Sequence, residues 1–206
     1  MKIKPLILVL FITLLLGSFA YADSPLTSTN FSRAYLNEPI IVKASKSKGK
    51  LSKELMIYLT DESKPIDVKM ALINRLGWGN IGKNDTLFLN YLIRNKKYKN
   101  NMDFFENGKG AELLCFSYMN AMDNYYDVTD AIRYSGYALS KNPKSYTYQI
   151  ISALIYAQKV IYSERCQVFK LTDEVRKNNS LIRDMKTEAI SIIFEYMDLY
   201  KHNCSS

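Results

Sequence analysis

At 206 residues the chain is long enough for one domain with a substantial core. Lys and Arg number 28 against 20 Asp and Glu, a formal net charge of +8 that is moderate and dispersed. That balance argues against a dedicated nucleic-acid binder and suits an acidic protein partner or the anionic surfaces of a cell envelope. One histidine leaves no basis for a Ser-His-Asp or Cys-His nucleophile beyond His202, which stands near the C-terminus.

The chain opens with Lys2 and Lys4, an uncharged apolar run from Leu6 to Leu16, then Gly17, Ser18 and the small-residue pattern Ala20-Tyr21-Ala22. This reads as a secretory signal cut before Asp23, since the apolar run falls short of the ~20 residues that span a bilayer. Export implies a periplasmic or secreted protein and an oxidising compartment. Asn-x-Ser/Thr triplets such as those at Asn30, Asn84 and Asn203 matter only in a eukaryotic route and otherwise read as chance in an Asn-rich chain.

Residues 23–50 carry no sustained helical period and are broken by Pro25, Pro39 and Gly49. They read as an extended or flexible segment, with Tyr35-Leu36 and Ile40-Ile41-Val42 as short docking pieces and Lys43, Lys46, Lys48 and Lys50 as a solvated basic linker. The helical domain spans 51–206. Ser52 caps a first helix through Leu55, Tyr58 and Leu59. Pro65 opens a second, apolar over most of its circumference, with Asp67, Asn74 and Arg75 sharing one narrow polar side. Such a helix is buried between neighbours and is expected at the centre of the fold.

Gly77 ends that helix, and Gly77 to Asn84 forms a glycine-punctuated turn containing the only tryptophan, Trp78. Asn84 or Asp85 caps the third helix, Leu87 to Leu92. Phe104 and Phe105 fall in an Asn/Gly-rich connection ending at Gly108-Lys109-Gly110. A fourth helix carries Leu114, Cys115, Tyr118 and Met122 inward. A fifth follows Thr129 to the Asn142-Pro143 stop, and a long sixth runs from about Ser145 to Ser163. Glu164 to Asn179 is mixed and polar, with one helical turn around Gln167 to Leu171, and the last helix begins at Ser180. No strand pattern of comparable strength appears. The class is all-α: an irregular antiparallel helical bundle or short α-solenoid of about seven helices.

No chemistry-bearing motif emerges. The turn at Gly77 lacks the preceding strand and Lys-Ser/Thr ending of a phosphate cradle, and Asp123, Asp127 and Asp130 lack the pattern of a calcium loop. Capping and turn formation account for these acids. No metal site and no cofactor is expected, and the chain reads as a non-enzyme. Of three cysteines, one disulfide leaves one thiol. If the sixth and last helices form a hairpin turning near residue 172, Cys166 and Cys204 lie roughly 30 Å apart, beyond bridging distance. Cys115–Cys204 is then the preferred pair, and a kink in the sixth helix would revive Cys166–Cys204.

The pair of helices over Ser52 to Leu76 resembles a HEAT-type unit, and AIRYSGYALSKNP at Ala131 to Pro143 resembles half of a tetratricopeptide repeat. Neither recurs at a fixed period. The leader together with PIDVKMALINRLGW and the turn after it resembles the periplasmic immunity proteins of type VI secretion systems, nearest to those that neutralise peptidoglycan amidases. That resemblance implies a binding protein and homodimer that places a loop in a toxin's active-site groove. The candidate contact residues of this chain are Trp78, Asn80, Lys83 and Asn84 in the first turn, Phe104, Phe105 and Lys109 in the second connection, and Tyr125 and Tyr126. The competing expectation is a periplasmic helical-repeat adaptor or assembly factor binding another envelope protein.

Overall fold

The computed structural model describes residues 24–80, 83–95 and 98–204. The leader expected at 1–22 lies outside the described residues, as do Ile81 and Gly82 of the glycine turn. The protein is all-α. Among the described residues are ten α-helices and two 3-10 segments: 3-10 Phe31–Tyr35, α1 Pro39–Lys46, α2 Lys53–Thr60, α3 Ile66–Leu76, α4 Asn84–Arg94, α5 Asn101–Asn107, α6 Gly110–Asp123, α7 Thr129–Lys141, α8 Tyr146–Val160, α9 Arg165–Lys177, α10 Thr187–Met197 and 3-10 Asp198–Cys204. No helix among them is long and apolar enough to cross a membrane.

The three helices beyond the seven expected are α1, α5 and α9. Proline at the first helical position starts α1, which turns Ile40, Ile41 and Ala44 inward. In α5 the Asn100 side chain accepts from Asp103 N at 2.9 Å and the helix buries Phe104. In α9 only Val168, Thr172, Asp173 and Val175 are buried, so its helical period was diluted by surrounding charge.

α3 is central, packed against the first 3-10 segment, α1, α6 and α8. Its narrow polar side is a docking strip for the preceding segment. Asp67 accepts from the Tyr35 hydroxyl at 2.8 Å, Asn74 accepts from Ser32 N and donates to Thr29 O, both at 3.0 Å, and Arg75 donates to Ser45 Oγ at 2.6 Å. Within 23–50, expected to be extended or flexible, residues 31–35 and 39–46 are therefore helical, and the segment is integral to the core, where Leu26, Phe31, Tyr35 and Ile41 are buried. From α6 onward the chain folds serially, α6 on α7, α7 on α8 and α8 on α9, and connections this short make neighbours antiparallel.

The disulfide expectation is corrected by this topology. The bond joins Cys166 to Cys204, with Cα atoms 4.8 Å apart, and Cys115 is a buried free thiol on α6. A simple hairpin leaves 164–179 as a connector, whereas α9 reverses the chain once more and brings Cys166 to its N-terminus. The C-terminal 3-10 segment then runs back along α9, with Asp198 at Arg176 and Cys204 at Cys166. The last helix also starts later than expected. Residues 180–186 form a turn in which Ile182 N donates to Lys144 O at 2.8 Å and Asp184 caps α8 by accepting from Thr147 N at 2.8 Å.

Candidate functional site

The described part of the glycine turn is shaped by two glycines. Gly77 closes α3 with φ +78° and Gly79 adopts φ +93°, both in the region that favours glycine. Between them Trp78 is held 46 % exposed, its ring edge-on to Tyr125 at a centroid distance of 5.2 Å and an interplanar angle of 71°. Tyr125 belongs to the turn between α6 and α7 and packs at 4.1 Å against Tyr126, which is 78 % exposed. The Tyr125 phenol is pushed up to about 12, chiefly by its side-chain hydrogen bond with Tyr126 and then by burial, with Tyr162 a further electrostatic neighbour. The Tyr125 backbone carbonyl accepts from Gln158 Nε2 at 3.1 Å, and Gln158 Oε1 accepts from the Ser24 hydroxyl at 2.6 Å. The start of the described chain thus buttresses this aromatic pair.

Asn80 and Asn84 act inward. Asn80 Nδ2 donates to Gly49 O at 2.7 Å. Asn84, buried, donates to the same oxygen at 2.9 Å and accepts from Leu51 N at 3.0 Å. Gly49 must be glycine: its φ is +78°, and a Cβ there would meet Asn80 Nδ2 at 2.8 Å and Leu76 O at 3.1 Å. This staple lays the 48–51 segment against the glycine turn, so Lys48 and Lys50 join Lys83 on one exposed border. None of these three lysines forms an ion pair among the described residues. On the tyrosine side the charge is more balanced, with Asp127 lying 3.8 Å from Lys159 Nζ and accepting from the Thr129 hydroxyl at 2.6 Å.

Under this border, the N-terminus of α4 is capped from another helix. Asp123 Oδ2 accepts from Asn84 N at 2.7 Å and Asp85 N at 2.9 Å, so neither Asn84 nor Asp85 supplies the cap that local sequence suggested. Burial raises the Asp123 carboxyl to about 6, with the Asp85 charge reinforcing and the backbone donors opposing.

The second connection is largely the helix α5 rather than a loop. Phe104 is a fully buried core residue of α5, edge-on to Tyr98 at 5.1 Å and to Phe116 at 5.7 Å. Phe105 stacks on Tyr134 at 4.3 Å and forms part of the wall of a groove of about 670 Å³ between α5 and α7. Lys109 is ion-paired with Glu62, away from the glycine turn. Of the nine candidate contact residues, the structure brings Trp78, Lys83 and Tyr126 to one exposed face, with Tyr125, Asn80 and Asn84 as its supports. Lys48 and Lys50 read as linker residues in the sequence, and only their exposure beside Asn80 places them at the site.

Among the described residues no group of three or more His, Cys, Asp or Glu is arranged to hold a metal ion. No protein-family model, curated protein or solved structure matches the chain.

Proposed function

We propose that the chain is an exported, non-enzymatic binding protein that docks an acidic protein partner on the face formed by Trp78, Tyr126, Lys48, Lys50 and Lys83. The observation that carries this reading is an exposed indole held in place by Tyr125 at 5.2 Å and bordered by lysines without ion partners. Aromatic anchors in fixed positions lose little freedom on binding, and unpaired cations steer an acidic surface toward them. The leader and the stretch Pro65 to Trp78 favour an immunity role, in which this face blocks a peptidoglycan-targeting toxin in the periplasm.

The test is affinity capture from periplasmic extract with the wild-type chain and with a Trp78→Ala/Tyr126→Ala double variant. Capture by the wild type alone of a peptidoglycan hydrolase, inhibited by the purified chain, supports the reading. Recovery of a stable envelope-assembly partner instead makes the chain an adaptor. Peptidoglycan cleavage by the purified chain itself, abolished by a carboxylate substitution, overturns the non-enzymatic reading.

A further inference from the structure

We infer that the channel over α8, between α7 and α9, is a peptide-binding groove for an extended apolar segment that carries a basic residue. It shares no residue with the Trp78 face and stands independently of the proposed function. Both α7 and α9 pack on α8, and between them they leave a channel of about 420 Å³, within the size range of ligand sites.

Small residues line this channel, among them Ser135 and Gly136 on α7 and Ser152 on α8, together with Tyr156 and Leu171. A Cβ at Gly136 would meet nothing within 4 Å, so the α7 side is open there. Ser152 is only 8 % exposed, and its hydroxyl has no hydrogen-bond partner. A buried hydroxyl left unpaired costs free energy that a ligand's hydrogen bond recovers. A helical ligand satisfies its own backbone amides and measures about 10–12 Å across with side chains. An extended segment is narrower and offers a free amide to Ser152.

The charge at the groove selects the ligand further. Glu174 is the only charged residue in the lining, is exposed, and makes no ion pair among the described residues. In a chain with an excess of lysine, this leaves an acid facing an apolar channel with no cation of its own. A lysine or arginine on the incoming segment meets it.

Fluorescence polarisation of the full chain with three labelled peptides, Val-Ala-Leu-Lys, Val-Ala-Leu-Glu and Ser-Gly-Ser-Lys, tests the inference. The first is expected to bind at least tenfold more tightly than the other two. Gly136→Leu fills the channel from its α7 side and abolishes that binding with Tm unchanged or raised, because leucine is also the better helix former. Glu174→Lys, an exposed change, reverses the preference between the Lys and Glu peptides. Trp78→Ala leaves all three affinities unchanged, which separates this groove from the Trp78 face. Absence of saturable binding by any peptide overturns the inference, as does binding that survives Gly136→Leu or ignores Glu174→Lys.

Discussion

Trp78 meets Tyr125 edge-on at 5.2 Å, so the turn after α3 and the turn after α6 form one surface. Because Trp78 is the only tryptophan, its emission reports on that surface alone. Tyr125→Ala removes a buried ring and is expected to cost about 3 kcal/mol while shifting the emission to the red. Trp78→Ala removes a half-exposed ring and is expected to cost about 1 kcal/mol, the worth of the aromatic contact. Urea denaturation followed by far-UV circular dichroism checks both. Equal losses for the two variants would mean that Trp78 is a core residue rather than a presented one.

The Cys166–Cys204 bond closes a loop with a sequence separation of 38. The chain-entropy relation gives about 4 kcal/mol for a loop of this length, so Cys166→Ser/Cys204→Ser is expected to lower stability by that order. The same end of the chain is held at Arg176, which donates to both carboxylate oxygens of Asp198 at 3.0 and 2.9 Å and lies over the Phe194 ring at 4.2 Å. The C-terminal segment therefore stays docked in the double variant, and the loss appears as a lower denaturation midpoint rather than as local fraying. Thiol counting gives a second check. Burial pushes the Cys115 thiol up to about 12, so the native protein is expected to react with no alkylating reagent and the denatured, non-reduced protein at one site.

The all-α class and the central place of α3 were legible because both follow from periodic apolar residues, which are local information. What escaped were pairings between distant segments. The narrow polar side of Asp67, Asn74 and Arg75 is legible in the sequence, but not that residues 24–46 dock on it. Those residues lacked helical period because much of their fixation comes from α3, not from their own spacing. Likewise, α9 was hidden because its buried side carries Thr172 and Asp173 among few apolar residues, and missing it misplaced the disulfide. At the site, Trp78 was identifiable by rarity and its turn by glycine. That Asn84 would be buried and Asp123 would cap α4 depended on which helices meet, which no spacing rule encodes.

Asn74 is the hub of that docking strip. It accepts from Ser32 N, and its Nδ2 donates to Thr29 O and the Tyr118 hydroxyl, each at 3.0 Å. Asn74→Ala leaves three buried groups without this partner and is expected to cost about 3 kcal/mol. Limited proteolysis should then cut first within 24–46, whereas the wild type resists there. Unchanged protection of that segment would show that apolar contacts alone hold it.

Asp123 makes stability depend on pH in the direction opposite to that of Asp61, Asp103 and Asp127. Hydrogen bonds from Ser63, Lys99 and Thr129 lower the carboxyls of Asp61, Asp103 and Asp127, so their contributions are lost as pH falls. Burial instead raises Asp123 from 3.8 to about 6, which means the folded state binds its proton more tightly than the unfolded state does. Its contribution is absent above about pH 6, grows as pH falls, and is complete near the unfolded value of 3.8. Asp123→Asn keeps an oxygen to accept from Asn84 N and Asp85 N and removes the charge. The difference in stability between wild type and this variant is therefore expected to be flat above neutrality. Between pH 6 and 4 it should move toward the wild type by about 2–3 kcal/mol. Urea titrations of both proteins at half-unit pH intervals measure it, and a difference that stays flat across that window would mean the Asp123 carboxyl titrates as an ordinary one.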